Sequence, residues 1–270
     1  MPELPEVETC RRALEPLLVG RIVTALQVRQ DRLREAVPRA QMQALVGCSL
    51  AHLTRRSKYL LFDFGDDHLL MHLGMSGQLF VGRPDAAWQK HEHWRLSFGD
   101  RVLRYRDPRR FGLVVHARRD ALSSHRLLAH LGPEPLAGWS PEQLIEAAQC
   151  SSQPIKPFLM DNRRVVGVGN IYATEALFAA GIHPGRAARR ISSARLRRLH
   201  AAVLHVLNAA LRAGGTTLKD FVSGDGSPGY FALKLKVYGR RGAPCPQCDK
   251  ALVAIRQAGR TTTYCTHCQR

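Results

Sequence analysis

The sequence lacks several features that define common classes of protein. No apolar run approaches the roughly 20 residues of a membrane-spanning helix, and no basic and then apolar leader opens the chain. Acidic residues are few, since 22 Asp and Glu stand against 40 Lys and Arg, for a net charge of +18. We therefore expect a polyanion as partner, with nucleic acid ahead of an anionic membrane surface, because no basic amphipathic helix with an aromatic apolar face is evident.

Lysine is scarce and cysteine is unevenly used. Only seven of the 40 basic residues are Lys, and the forked guanidinium of Arg suits phosphate and guanine, although coding bias would give the same imbalance. Four of the seven Cys fall in two paired motifs, which leaves Cys10, Cys48 and Cys150. An odd number of remaining cysteines, together with the lack of a leader sequence, favours a reducing, cytoplasmic location.

The paired cysteines have the spacing of a metal site. Two C-x-x-C pairs are separated by sixteen residues: Cys245, Cys248, Cys265 and Cys268. Each pair puts two sulfurs on one tight turn, and two disulfides are the less favoured interpretation. Four thiolates leave no open coordination position, so we predict one structural Zn²⁺ per chain and no other cofactor. Residues 251–255 and 261–264 are predicted to form a hairpin between the pairs.

The chain starts with a proline that can act as a nucleophile. If Met1 is removed, Pro2 presents a secondary amine close to the carboxylates of Glu3 and Glu6. An α-amino group titrates near about 8, so part of it is neutral at working pH and can attack a carbonyl carbon to form a Schiff base. Glu3 can donate or withdraw a proton beside that bond. The alternative is an ordinary frayed terminus.

Hydrophobic spacing predicts a helix followed by strands. A helix should start almost at the N-terminus and end near Gly20, because four apolar residues recur at helical spacing: Val7, Cys10, Leu14 and Leu17. Residues 21–117 have strand character, most clearly at 22–28, 59–64, 69–73 and 94–98, with turns at 65–67 and 99–100. Several strands at this spacing suggest an antiparallel sandwich or barrel.

The later part of the chain is predicted to be helical. Ser140 and Gln143 form a capping box around Pro141, which is a helix start signal. One apolar stripe marks a long helix that ends at Gly214: Leu196, Leu199, Val203, Leu207 and Ala210. We therefore predict a multidomain α+β fold, with a helix and a β-sandwich in 1–130, a helical domain in 131–235 and a zinc hairpin in 236–270.

Blocks along the whole chain resemble formamidopyrimidine-DNA glycosylase, a family of bacterial enzymes that remove oxidised purines such as 8-oxoguanine. The blocks are PELPEVET at 2–9, RSKYL at 56–60, HLGMSG at 72–77, DPRRFG at 107–112, IKP at 155–157, LMDN at 159–162, GVGNIY at 167–172 and the zinc hairpin. The resemblance implies a β-sandwich, a helix-two-turn-helix domain and a cleft between them for duplex DNA. It also implies base excision followed by β,δ-elimination, with the enzyme acting as a monomer.

The resemblance assigns catalytic roles to four residues. Pro2 would attack the sugar C1′, and Glu3 would assist ring opening and base loss. Lys58 would donate the proton in the first strand-cleaving elimination, and Arg260 on the zinc hairpin would serve the second. Glu6 would support the local network.

Other residues are assigned to DNA by the same resemblance. Met75, Arg109 and Phe111 match the family's wedge, which fills the gap left by the flipped base, and Arg109 would bond the opposite base, preferably cytosine. For Met75 and Phe111 the alternative is core packing. Further DNA contacts are assigned to His91, Arg110, Ser151, Lys156 and Asn170. Ser151 stands where some members carry Lys, so that charge is missing. The glycine-rich segment 223–230 would close over the flipped purine.

Two other functions fit parts of the pattern. The related endonuclease VIII removes oxidised pyrimidines on the same fold, but Leu4 and the wedge residues favour the purine enzyme. A non-catalytic DNA-binding protein on this scaffold would result if Met1 were retained, because a blocked amine cannot form the Schiff base.

Overall fold

The computed structural model describes residues 2–214 and 235–270. These residues divide into two compact units, one formed by 2–129 and 213–214 and the other by 130–212 together with 235–270. Among them, no helix has both the length and the apolar character needed to cross a membrane.

The first unit contains two helices and two antiparallel sheets of four strands each. Its elements are α1 Leu4–Leu18, β1 Ala25–Val28, α2 Arg39–Ala44, β2 His52–Arg56, β3 Tyr59–Asp63, β4 Asp67–His72, β5 Gln78–Gly82, β6 Glu92–Phe98, β7 Arg101–Arg106 and β8 Leu113–Arg118. One sheet has the order β1-β6-β7-β5 and the other β2-β3-β4-β8. Both sheets contribute buried side chains to one core, such as Phe62 from the second and Trp94 from the first. The predicted β-sandwich is therefore confirmed.

Helix α1 closes this core and confirms the predicted N-terminal helix. Val7, Cys10, Leu14 and Leu18 are buried in the core, while Leu17 packs against it and stays partly exposed. The buried stripe runs at intervals of three and four residues, as an amphipathic helix requires. Burial raises the pKa of the Cys10 thiol to about 12, so this cysteine is a packing residue and is not reactive.

The strand segments predicted at 59–64, 69–73 and 94–98 correspond to β3, β4 and β6. The first predicted strand is shorter than expected, because regular pairing begins at Ala25 and Ile22 forms only an isolated bridge with Ser49. Strands β2, β5, β7 and β8 were not singled out by the sequence pattern. Much of β7 and about half of β8 is buried, so their side chains do not alternate clearly, whereas β2 and β5 each bury only one residue.

The second unit is helical and ends in a hairpin. It contains α3 Pro141–Gln149, α4 Ile155–Leu159, α5 Asn170–Ala179, a 3₁₀ turn Ala188–Arg190, α6 Ser193–Arg212, β9 Val253–Gln257 and β10 Arg260–Tyr264. The predicted capping box at α3 is present, with Gln143 N–H donating to Ser140 Oγ at 3.2 Å and Ser140 N–H donating to Gln143 Oε1 at 2.9 Å. The whole predicted stripe of α6 is buried.

The predicted hairpin is present, but its first strand starts two residues later than expected.

Two other expectations stay predictions. One is the division into three domains at 130 and 235. The other concerns the segment 223–230, which lies outside the described residues.

Candidate active site and DNA interface

The start of α1 holds two buried carboxylates in a reciprocal arrangement. Glu3 is the N-cap of the helix, and its side chain accepts a hydrogen bond from the N–H of Glu6. In return, Glu3 N–H donates to Glu6 Oε2 at 2.8 Å. This capping box satisfies helix N–H groups that would otherwise lack partners. Pro2 therefore lies directly before the positive end of α1, and Glu6 fixes the backbone that carries Glu3.

Lys58 lies in the two-residue loop between β2 and β3. The register pairs Arg56 with Tyr59, so Ser57 and Lys58 form the loop. Ser57 has φ of 57°, a conformation that hairpins of type II′ usually give to glycine. Lys58 itself is buried. Burial first, and then the positive charges of Lys58 and Arg34, lower the pKa of nearby His72 to about 4.

A chain of contacts that sequence reasoning missed joins α1 to the loop of Lys58. Glu8 of α1 accepts from Arg55 Nε at 3.1 Å, and Arg55 Nη1 donates to the carbonyl of Ser57 at 2.7 Å. Burial opposes ionisation of Glu8, but hydrogen bonds from Arg11 and Arg12 and the charges around it keep its pKa below the usual value. The helix that presents Pro2 and the loop that presents Lys58 are thus held together by charged hydrogen bonds.

The predicted wedge residues are exposed and lie on two adjoining turns. Met75 is 39% exposed and Phe111 is 45% exposed, which is unusual for large apolar residues. The guanidinium of Arg109 stands 4.8 Å from the centre of the Phe111 ring. The turns touch backbone to backbone, since a Cβ on Gly74 would lie 2.4 Å from the carbonyl carbon of Phe111. The two motifs therefore form one exposed apolar projection with a cation beside it.

His91 is exposed on the loop that precedes β6, and Arg110 is exposed between the wedge residues. Both have positive φ, 65° for His91 and 54° for Arg110, which is uncommon for residues with side chains. The next residue in the chain is Glu92, whose buried carboxylate accepts hydrogen bonds from the guanidinium groups of Arg95 and Arg104. Burial works against ionisation of Glu92, but these bonds lower its pKa to about 2, so the ion cluster anchors the loop of His91.

In the second unit, Lys156 connects three elements. It lies on α4 and is only 1% exposed. Its Nζ donates to Asn170 Oδ1 at 2.5 Å and to Thr262 Oγ1 at 2.6 Å. Asn170 is the first residue of α5, and its Nδ2 donates to the carbonyl of Thr261 at 3.3 Å. Lys156 and Asn170 are therefore adjacent, and together they hold strand β10.

Arg260 opens β10 and is exposed at the tip of the hairpin. The tip residues Ala258 and Gly259 have φ of 46° and 73°, the pattern of a type I′ turn. Arg260, Gln257 and Lys156 line a cavity of about 270 Å³. Arg260 and Lys156 thus face a common cavity.

Ser151 is partly buried after α3, where its Oγ accepts a hydrogen bond from Gln153 N–H at 3.3 Å.

The four predicted zinc ligands converge. Their sulfur atoms all lie within 4.8 Å of one another, and no other group of His, Cys, Asp or Glu in the described part of the chain is so arranged. The separations are 3.9 Å for Cys245 and Cys268 and 3.5 Å for Cys248 and Cys265. A tetrahedral ZnS₄ site with bonds of about 2.3 Å needs sulfurs about 3.8 Å apart. The donor set and spacing therefore fit one zinc ion.

Glu175 is a second feature that sequence reasoning missed. It is buried on α5, and its carboxylate accepts from the N–H groups of Lys236, Val237 and Tyr238 at 2.8–3.0 Å. Val237 packs with the cysteines and with Phe178 of the same helix. Glu175 therefore fixes the segment that leads into the hairpin. Glu175 is the one charged residue of this mostly apolar helix, and that was the signal that could have found it.

Comparison with known proteins agrees with this geometry. Three family models match: the formamidopyrimidine-DNA glycosylase N-terminal domain at residues 1–114, the H2TH domain of the same glycosylase at 131–222, and a zinc finger found in FPG and IleRS at 242–270. The chain belongs to the formamidopyrimidine-DNA glycosylase family. The resemblance stated from the sequence motifs is thereby confirmed.

Relatives in the formamidopyrimidine-DNA glycosylase family match along the full chain. The enzyme of that name from Alcanivorax borkumensis is 52% identical, with all of both chains covered. The Lactococcus lactis Fpg in a complex with DNA containing an abasic site has a TM-score of 0.92 at 34% identity, with 99% of each chain covered. A mutant of the Lactococcus lactis protein with DNA containing Fapy-dG has a TM-score of 0.93 at 33% identity, with full coverage of both chains.

Proposed function

We propose that this protein is a bifunctional DNA glycosylase and AP lyase of base excision repair, which removes oxidised purines from duplex DNA. The observation that carries the proposal is the start of α1, where Pro2 precedes the buried, capped carboxylate of Glu3. Membership of the family and the neighbours with abasic-site and Fapy-dG DNA support the substrate class.

The proposed chemistry begins at Pro2 after Met1 has been removed. The secondary amine attacks C1′ of the damaged nucleotide, the sugar ring opens, and the base leaves, so that a Schiff base joins Pro2 to the sugar. Glu3 supplies the proton for ring opening. The position of Glu3 is set before DNA binds, because Glu3 N–H donates to Glu6 Oε2 at 2.8 Å. The geometry therefore need not be rebuilt when DNA binds.

Strand cleavage follows by two eliminations from the Schiff base. Lys58 is the proposed proton donor of the first, and its loop is held at Ser57 by the contacts from Glu8 through Arg55. The second is assigned to Arg260, which the hairpin tip presents next to Lys156 and the cavity of about 270 Å³. Together these steps would leave a gap of one nucleotide.

The wedge residues make the base accessible. A base inside a duplex must be flipped out, which requires a few kcal/mol of unstacking. Met75 and Phe111 are exposed on adjoining turns, and apolar side chains inserted between base steps unstack and kink DNA. Arg109 would hydrogen-bond the orphaned cytosine, while His91, Arg110, Ser151, Lys156 and Asn170 would make further contacts with DNA.

One structural Zn²⁺ per chain is part of the proposal, and no other cofactor is. The four converging thiolates would hold the ion, which supplies folding free energy to the hairpin. Cys245 and Cys265 are buried beside Phe178 and Val237, so the ion would fix the strand that carries Arg260. We propose a monomer that acts on chromosomal DNA in the bacterial cytoplasm, because that is where the substrate lies.

Excision from matched duplexes tests this function. Protein shown by mass spectrometry to lack Met1 is compared on 8-oxoguanine:cytosine, 8-oxoguanine:adenine and thymine glycol:adenine duplexes. We expect the fastest excision from 8-oxoguanine opposite cytosine. Glu3→Gln is the matched control, since it keeps an acceptor for Glu6 N–H but removes the acid. A preference for thymine glycol would identify an enzyme like endonuclease VIII, and binding without any incision would identify a non-catalytic protein.

A further inference from the structure

The carboxylate of Asp107 receives four hydrogen bonds and is 0% exposed. Oδ1 accepts from Ser76 Oγ at 2.6 Å and from Arg109 N–H at 3.2 Å. Oδ2 accepts from Tyr105 OH at 3.0 Å and from Gly112 N–H at 2.8 Å. An ionised carboxylate can accept all four, whereas an amide offers only one acceptor oxygen.

These partners belong to the two turns that carry the wedge. Ser76 directly follows Met75, while Arg109 N–H and Gly112 N–H lie at the two ends of the turn that presents Phe111. Ser76 Oγ also accepts from Arg109 N–H at 3.3 Å. One buried side chain therefore binds both turns at once, and Ser76 links them a second time.

The backbone of Asp107 reaches a third segment. Its N–H donates to the carbonyl of His91 at 3.0 Å. Its own carbonyl lies 2.8 Å from Nε2 of buried His93. The loop that presents His91 is thus fixed to the same residue as the wedge turns.

The turns have little freedom to adopt another arrangement around Asp107. A Cβ on Gly112 would lie 1.9 Å from the hydroxyl of Tyr105, and a Cβ on Gly77 would lie 2.2 Å from the carbonyl oxygen of Leu73. Such contacts are far inside van der Waals distance, so the backbones are packed without space for side chains. Hydrogen bonds to one carboxylate then decide how the exposed residues are aimed.

We infer that Asp107 is a positioning residue that sets the geometry of the wedge formed by Met75, Arg109 and Phe111. The inference rests on the proposed function, and Asp107 acts through these residues because its own side chain is buried and cannot reach DNA. Preorganisation of this kind matters because insertion into a base stack tolerates little misplacement.

Two serine-to-alanine variants test the inference. Ser76→Ala removes a hydrogen bond to Asp107 and the acceptor of Arg109 N–H, and so uncouples the turn of Met75, whereas Ser140→Ala removes the N-cap bond of α3 and touches neither wedge turn. We expect Ser76→Ala to slow single-turnover excision of 8-oxoguanine opposite cytosine by about tenfold, an effect of the size of one hydrogen bond expressed in the transition state. Ser140→Ala should lower the melting temperature with excision nearly unchanged. Equal rate losses in both variants, or an unchanged rate in Ser76→Ala, would overturn the inference.

A double-mutant cycle and a second substrate separate positioning from general damage. In a Met75→Ala background, Ser76→Ala should slow excision little further, because the side chain that it aims is gone; fully multiplicative effects would refute this route. Asp107→Asn should still be trapped by borohydride on a single-stranded oligonucleotide with a preformed abasic site, where no base has to be flipped. Loss of that trapping in folded Asp107→Asn would contradict a role confined to the wedge. Failure of the wild type to excise oxidised purines would instead refute the proposed function.

Discussion

Two methionines of the first unit allow the wedge to be distinguished from the core by one type of substitution. Met75 is 39% exposed on its turn, whereas Met42 of α2 is 0% exposed and belongs to the main core. Complete burial of a Met side chain stabilises a protein by about 1.5–3 kcal/mol, and truncation in a packed core costs about 2–5 kcal/mol. Because two fifths of Met75 is already in water, Met75→Ala should cost about 1–2 kcal/mol, and Met42→Ala about 2–5 kcal/mol.

The expected effects on catalysis run in the opposite order. Met75→Ala should slow single-turnover excision of 8-oxoguanine opposite cytosine by at least about tenfold, since the apolar insertion that offsets unstacking is lost. The folded fraction of Met42→Ala should excise near the wild-type rate. Thermal melting and single-turnover kinetics on the same preparations measure both quantities. If Met75→Ala melts as low as Met42→Ala while its folded fraction excises normally, Met75 is a packing residue and the wedge assignment is wrong.

Three further predictions concern zinc, acid stability and salt. Removal of zinc, or Cys248→Ser, should unfold the hairpin and weaken DNA binding while the helices persist in circular dichroism; a metal-free preparation with full activity would exclude this. Burial first, and then the charges of Lys58 and Arg34, lower the pKa of His72 to about 4. The neutral His72 side chain therefore contributes fully to the free energy of unfolding above about pH 6.5, and this contribution should be lost as the pH falls towards 4. That loss is up to about 3 kcal/mol, and His72→Gln should reduce the acid-induced fall in melting temperature; an identical fall would contradict the assignment. Lys156→Ala should weaken binding to damaged and undamaged duplexes alike and lower the slope of log K against log salt by about 0.9, whereas a loss on damaged DNA alone would contradict a phosphate contact.

Local signals made much of the fold predictable. Helix α1 and the start of α3 could be derived because apolar spacing and capping residues act within a few positions of the chain. The zinc ligands were predictable because each C-x-x-C pair is local and thiolate chemistry restricts what it can hold. Strand β2 was missed, since its buried Leu53 stands among exposed or half-exposed neighbours, and strand identity there depends on pairing with β3.

Long-range contacts explain what the sequence could not supply. Asp107 and Ser76 are 31 positions apart, and no local pattern indicates that they bond. The bond between Lys156 and Thr262 spans 106 positions. Lys156 was predicted to contact DNA, but its almost complete burial and its bonds to two other elements appear only when those elements are packed. The motif residues were predictable from resemblance, and the contacts that aim them were not.

The central claim is that the amine of Pro2 forms the covalent bond with the damaged nucleotide. Borohydride reduction of the protein on 8-oxoguanine:cytosine DNA, followed by proteolysis and mass spectrometry of the adduct, tests it most directly. The account predicts a single cross-linked peptide that begins at Pro2 and carries the sugar remnant on its N-terminal nitrogen. Equally efficient trapping by a form that retains Met1, or an adduct on any other residue, would contradict it.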